Sequence, residues 1–468
     1  MTLPRTEPTG KGEMRTGSWI LVAAAMFAVA WGGNEFTPLL VMYRLEHGFS
    51  AVTVDTFLFA YVIGIVPALL ICGPLSDRVG RRPIMLPATA IAAAGSILIA
   101  FGADSAPILF GGRVLSGIAL GIGMAVGGSW IKELSAVDER IRQDHSAGST
   151  PADPGHSAGS TPADPGHSAG STPADPGHSA GSTPASSQGA GARRQAMSLT
   201  AGFALGAGVA GILAQWAPWP THLAYLVHVG ICIVAGIGMI SVPETRPAVP
   251  RELRGRLFDD LKIPAAAHRR FLLVVVPLAP WVFGAASVAY AVLPSLMADR
   301  SGGHPIGLSA LMSVIALGAG FAIQAVGRRI DTPNAARGAL VALTILVVGM
   351  LLAAWAASVL TIAAALIAAA VLGCGYGMAL VSGLQEVQRI AGPNDLAGLT
   401  AVFYSLTYLG FAIPAILSAL TEKWPGVVTY PAIFVFGAVL AAICWVFVRT
   451  RSSSHLPEPS RSPEEVSV

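Results

Sequence analysis

Twelve stretches of this chain are each long and apolar enough to cross a bilayer, and no other feature constrains the fold as much. They run at about 19–42, 52–75, 84–103, 107–131, 196–217, 221–242, 271–298, 305–326, 338–357, 359–384, 396–420 and 427–448. A helix needs about 20 apolar residues to cross a ~30 Å hydrocarbon core. Inside that core every backbone N–H and C=O must find a partner within the protein, so such runs become helices. The runs 338–357 and 359–384 nearly abut. One helix of their combined length would reach about 70 Å, so two spans are expected. The first run is too long for a signal peptide, lacks a small-residue cleavage site and precedes eleven more, so it reads as a span.

Composition removes the other classes. Hydrophobic residues make up 53% and charged residues 12%, about half the ~25% charge of a soluble protein. A soluble enzyme and a disordered chain are excluded, as is a β-barrel, whose strands would alternate and stay polar inside. Cys72, Cys232, Cys374 and Cys444 each lie alone in an apolar run. No metal spacing or disulfide framework is visible, and they read as small buried hydrophobes.

The loops orient the chain. With both ends inside, the outer loops hold Arg44, Arg300 and Lys423, and Arg113 sits within a span. The remaining 25 of the 29 Lys and Arg residues fall inside, which is the positive-inside pattern. The expected organisation is a cytoplasmic tail (1–18), a first six-helix bundle (19–242), a charged cytoplasmic loop (243–270), a second bundle (271–448) and a polar cytoplasmic tail (449–468). Within the first bundle, HSAGSTPADPG at 145–155 recurs at 156–166 and 167–177, with a truncated copy at 178–185. This block has no apolar periodicity and reads as a flexible linker between spans 4 and 5. Its four regularly spaced histidines belong to this low-complexity linker, and no metal site is expected.

Between spans 2 and 3 the chain reads Gly73-Pro74-Leu75-Ser76-Asp77-Arg78-Val79-Gly80-Arg81-Arg82-Pro83. Glycines allow a tight turn and close helix approach, and a carboxylate at a helix end can meet a helix dipole or a guanidinium. These residues resemble the loop 2–3 signature of the major facilitator superfamily. The resemblance implies that Gly73, Asp77, Arg78, Gly80, Arg81 and Arg82 form a conformational latch at the inner surface, one that holds the outward-open state. The loop after span 8, Gly327-Arg328-Arg329-Ile330-Asp331, keeps a glycine and basic pair but has no counterpart of the Asp77 carboxylate. Arg113-Val-Leu-Ser-Gly117 in span 4 is similar to a family motif associated with proton coupling, and Pro243-Glu244-Thr245-Arg246 is a common ending of span 6. Span 5 lacks the Gly-Pro of many antiporters in the family. The fold implied is all-α, twelve transmembrane helices in two six-helix bundles.

Ionisable residues inside a span are costly and are functional candidates. Glu35, in Trp31-Gly32-Gly33-Asn34-Glu35, and Arg113 stand out. Counted at 1.5 Å per residue, they lie ~24 and ~21 Å from the inner boundary, the same depth within boundary error. If the family fold holds, both line a central cavity and share a site, in which Glu35 takes up and releases a proton. Asn34, His228, Tyr290, Gln324, Tyr376 and Gln385 are weaker candidates, as are Trp281, Ser287, Tyr404 and Tyr408. Glu386 and Arg389 are expected in salt bridges at the inner surface.

The chain therefore reads as a secondary transporter of a small organic solute, driven by protons and working by alternating access. Efflux is favoured over proton-coupled uptake, and a non-transporting membrane sensor is disfavoured for want of a soluble domain. No GxxxxGK[ST] occurs and no nucleophile, catalytic acid pair or metal cluster is visible, so neither ATP drive nor enzymatic activity is expected. No cofactor and no nucleic-acid partner is expected, only a lipid bilayer around a monomer. Abundant Ala, Gly and Arg with little Lys point to a bacterial inner (plasma) membrane. Deleting 145–185 should leave membrane insertion and transport intact; complete loss of transport in a well-expressed deletion would contradict the linker reading.

Overall fold

The computed structural model describes residues 17–147, 185–250, 263–330, 336–392 and 395–451. Most of the 145–185 repeat, most of both tails, residues 251–262 of the central loop and Asp331 lie outside the described residues. The described residues are helical, without strands, and hold twelve membrane-length helices. Spans 1–6 are Trp19–Leu45, Ala51–Val79, Arg81–Phe101, Ala106–Arg142, Ala190–Trp216 and Leu223–Ile240. Spans 7–12 are Phe271–Arg300, Pro305–Ile330, Arg337–Val359, Ile362–Ile390, Leu396–Lys423 and Tyr430–Arg451. The abutting pair is indeed two helices. Leu360, at φ 50°, caps span 9 in the left-handed region and turns the chain back.

Spans pack into two sets, one from each half of the chain. Spans 2 and 5 of the first set meet spans 11 and 8 of the second across the interface. Within each set, small residues bring helices together, because lipid supplies no hydrophobic drive for their association. A Cβ on Gly117 of span 4 would strike the Tyr61 carbonyl of span 2. A Cβ on Gly377 of span 10 would strike the Gly320 carbonyl of span 8. The same device thus serves span pairs 2–4 and 8–10. Gly202 and Gly206 of span 5, one turn apart, lie against the backbone of span 1 at Phe27 and Trp31.

Four spans are irregular near mid-depth. Span 1 is α-helical over Trp19–Asn34, turns at Glu35 and Phe36, and resumes through a 3-10 segment, Thr37–Leu39. Pro38 has no N–H to give the Asn34 carbonyl, so an uninterrupted helix is impossible there. Span 11 has a 3-10 turn at Leu409–Phe411, where Pro414 likewise leaves the Gly410 carbonyl without a helical donor. Spans 4 and 7 carry π-helical turns at Gly123–Gly127 and Val288–Val292. Irregular backbone at this depth is tolerated where it is buried in protein or lines a cavity.

The halves are closed on the side away from loop 2–3. There Ser418 of span 11 donates to the buried Asp55 carboxylate of span 2. Gln215 of span 5 accepts from the N–H groups of Ile306 and Gly307 at the start of span 8, both at 3.0 Å. At mid-depth the Tyr408 hydroxyl reaches Met124 Sδ at 3.2 Å. Among the described residues, no hydrogen bond joins the halves on the loop 2–3 side. Asp55→Ala should loosen the closed side. On a background lacking the other cysteines, Leu58→Cys should then be labelled faster by an impermeant maleimide added from that side. Equal labelling with Asp55 intact would show that the carboxylate does not hold the halves together.

Candidate functional site

Glu35 sits at the break in span 1, and its side chain turns toward spans 3 and 6. The carboxylate is fully buried. Ser96 Oγ donates to Glu35 Oε1 at 2.7 Å, and His228 Nδ1 lies 3.2 Å from the same oxygen. Nδ1 is also 2.7 Å from Ser96 Oγ, while Nε2 is 2.9 Å from the Ala28 carbonyl and 3.1 Å from Cys232 Sγ. A carbonyl can only accept, so Nε2 carries a hydrogen. With Ser96 donating to Glu35, Nδ1 faces acceptors as well, an arrangement suited to an imidazolium. Glu35 Oε2 has no hydrogen-bond partner. Gly32 makes room for the ring, since a Cβ there would overlap the imidazole.

Beside this cluster a cavity of about 20 Å³ lies between the halves, space for about one water. The first half lines it with Gly33, Asn34, Thr37, Tyr61, Arg113 and Phe203. The second half contributes Phe283, Tyr290, Leu317, Tyr376, Tyr408 and Phe411. Phe283 stacks on Tyr408 and Phe411, with centroids at 4.5 and 4.9 Å. Asn34 donates to the Phe203 carbonyl at 3.3 Å and accepts from Thr37 Oγ1 at 3.0 Å. Arg113 is fully buried. Its Nε and Nη1 make long bonds to the carbonyls of Phe57 (3.4 Å) and Gly33 (3.5 Å). Its guanidinium carbon sits 4.6 Å from the Tyr61 ring centroid and 4.8 Å from that of Phe36.

Arg113 and Glu35 therefore stand beside the same turn of span 1 but do not pair. The Glu35 carboxylate is engaged by Ser96 and His228, behind the cavity wall. Counting residues gives depth along a helix, whereas the direction of a side chain around it depends on packing. Tyr290 and Tyr376 both reach the cavity. Gln324 is half-buried in the loop 2–3 side of span 8, and Gln385 sits near that end of span 10; neither lines the cavity. Ser287 Oγ donates to Gly284 O in its own span. Ser96, Thr37, Tyr61 and the aromatic residues Phe283 and Phe411 were not singled out from sequence. Only the Thr37-Pro38 interruption within an apolar run could have marked that region.

The loop 2–3 residues form one network within the first half. Gly80, at φ +105°, makes the turn, and a Cβ there would meet Glu244 Oε2 at 2.5 Å. Glu244 accepts from the N–H groups of Arg81 and Arg82, both at 2.9 Å. It is therefore Glu244, just past span 6, that meets the positive end of span 3. Asp77 instead pairs with Arg81 at 2.7 Å and Arg246 at 3.0 Å. Arg81 Nη2 bonds Glu133 of span 4 at 2.9 Å, and Glu133 also accepts from Thr245 Oγ1. The Arg78 carbonyl accepts from Val249 N at 2.9 Å, and a Cβ at Gly73 would meet nothing. In the second half Glu386 binds Arg270 at 2.5 and 2.9 Å and Arg389 at 3.0 Å, the salt bridges expected of Glu386 and Arg389.

Two packed helix sets that meet around a small cavity, with broken spans beside it and a buried polar cluster inside the first set, define a helical membrane protein of two halves. A Major Facilitator Superfamily model matches residues 20–143 and 169–415, and the chain belongs to that family. Over 103 residues it is 28% identical to the bacillibactin exporter of Bacillus subtilis (strain 168), a stretch covering 21% of this chain and 26% of the exporter. Among solved structures, a POT family transporter in complex with 5-aminolevulinic acid aligns with TM-score 0.66 at 12% identity, covering 93% of this chain and 96% of that one. The nucleoside transporter NupG aligns with TM-score 0.63 at 12% identity, covering 93% and 98%. These likenesses establish the fold. Members of the family are transporters, which places a small-molecule substrate and a lipid bilayer around this chain.

The tight fit at the Glu35 cluster has a measurable consequence. Gly32→Ala should lower the thermal stability of the purified protein by a margin equivalent to about 1–3 kcal/mol, the range for overpacking a filled site. In a His228→Ala background the same substitution should cost little. An equal cost in both backgrounds would show that the imidazole is not what Gly32 accommodates.

Proposed function

We propose that this chain is a proton-coupled exporter of a small organic solute, working by alternating access, with Glu35 as the proton carrier. The observation that carries this reading is the Glu35–Ser96–His228 cluster, buried at the break of span 1 and adjacent to the cavity between the halves. A proton arriving at Glu35 can sit on Oε2, the oxygen without a partner, and leave the bonds to Oε1 in place. Neutralised, Glu35 holds His228 less strongly. Span 1 is then freer to move against spans 3 and 6. Since Asn34 and Thr37 flank Glu35 and line the cavity, that movement alters the substrate's surroundings.

The basic loops support a cytoplasmic location for the loop 2–3 side and both termini, in a bacterial inner membrane. The structure is thus read as closed to the outside. Asp77 and Arg81 are engaged only within the first half among the described residues. That fits a latch which, by the family resemblance, acts in the outward-open state. Export is supported by the likeness to the bacillibactin exporter, though it covers about a quarter of that protein's length. The boundaries given from sequence for tails, bundles and central loop, and a monomeric state, belong to the same proposal.

The test is reconstitution in liposomes with an enclosed pH dye and a screen of metabolites and antimicrobials. An active solute should dissipate an imposed pH gradient with the sign of antiport. Glu35→Gln should abolish the pH change while solute counterflow persists. A pH response unchanged by Glu35→Gln would remove Glu35 from the mechanism, and the opposite sign would make the protein a proton-coupled uptake system.

A further inference from the structure

We infer that the cavity takes an organic anion with an aromatic or apolar body, its acidic group bound by Arg113 and Tyr61. This deepens the transport reading above and rests on it. Burying a guanidinium is expensive unless it is paired and its hydrogens are satisfied. Arg113 is fully buried, yet among the described residues no carboxylate forms an ion pair with it. Its two hydrogen bonds are long, 3.4 and 3.5 Å, and both are to neutral carbonyls. Nη2 has no partner, and neither has the buried Tyr61 hydroxyl. Both residues line the cavity.

Glu35 follows Asn34 of the cavity wall, but its carboxylate is already engaged by His228 at 3.2 Å. The cluster therefore balances itself and leaves the Arg113 charge over. The flanking rings of Tyr61 and Phe36 soften that cost through cation–π attraction but do not cancel a charge. A ligand carboxylate would cancel it, because a guanidinium edge and a hydroxyl together offer the donors a carboxylate accepts. Across the cavity the second half presents Phe283, Tyr290, Tyr376, Tyr408 and Phe411, a wall suited to a flat apolar body. The present closed state holds about one water in this space, so the anion enters as the halves part.

Three probes of one shape separate charge from size: 2-naphthoate, 2-naphthamide and 2-naphthylmethylamine. Equilibrium dialysis against the protein in lipid nanodiscs, with empty nanodiscs subtracting partition into lipid, gives each affinity from naphthalene fluorescence. 2-Naphthoate should bind roughly tenfold or more tightly than the amide, and the amine weakest. Arg113→Gln should erase the preference for the carboxylate. Arg113→Lys, which keeps the charge, should retain it with weaker binding, and Tyr61→Phe should weaken the carboxylate alone. These last two decide the matter if Arg113→Gln does not fold. Equal binding of the three probes, a preference that survives Arg113→Gln, or no binding of the carboxylate would overturn the inference. The outcome is independent of proton coupling. Carboxylate selectivity without proton movement would refute the coupling alone, and proton-driven export of neutral or cationic solutes with no carboxylate selectivity would refute the anion site alone.

Discussion

Hydrocarbon offers no partner to a polar group, and that single refusal organises the molecule. It forces the backbone of each span into helices, whose N–H and C=O groups satisfy one another. It then makes each polar side chain in the interior answer for itself. Asp55 is answered by Ser418, Glu386 by Arg270 and Arg389, and Glu35 by Ser96 and His228. Among the buried polar atoms of the described residues that find no partner, Arg113 Nη2, Tyr61 OH and Glu35 Oε2 lie at or beside the cavity between the halves.

The spans were legible because the signal is repeated: a bilayer-length apolar run is hard to produce by chance, and here it occurs twelve times. The break between spans 9 and 10 was legible from length alone. The loop 2–3 residues were legible as a group, but not the division of labour in which Glu244 takes the helix dipole and Asp77 the guanidinium groups. That depends on where span 6 ends relative to span 3. The depth of Glu35 and Arg113 could be counted, and they do lie by one turn of span 1. Their partners could not be counted. Ser96 looks like any serine in a span, and His228 lies 132 residues away from it in the chain. Only packing brings them to one carboxylate oxygen. Cys232, taken from sequence as filler, proves to touch the same imidazole. Asp55 escaped notice because an acid near a span's end is ordinarily solvated, whereas here span 11 covers it.

The two halves share a packing scheme but differ in what they bring to the cavity. In each, glycines let the second and fourth helix of the set approach closely, and in each an arginine–glutamate pair ties helices near the loop 2–3 side, buried on both sides in the second half and half-exposed at Glu133 in the first. At the cavity the likeness ends. The first half supplies the charge and the polar cluster, and the second supplies a stack of aromatic rings. The buried arginine and the hydrogen-bonded acid are thereby kept on one side of the interface and the aromatic stack on the other. The rocking of one half against the other would then change the distance between them without disturbing either.

The π-helical turns in spans 4 and 7 carry a consequence for how such a chain can vary in length. A π turn holds one residue more than an α turn. Losing one residue from Gly123–Gly127 or from Val288–Val292 can be absorbed by a return to the α form, with everything beyond still aimed as before. Losing one elsewhere in a span rotates all that follows by about 100° and turns a lining face toward lipid. Those two segments, like the further π turn Phe271–Val275 at the start of span 7, are therefore points of slack, places where inheritance can drop a residue and keep the register beyond.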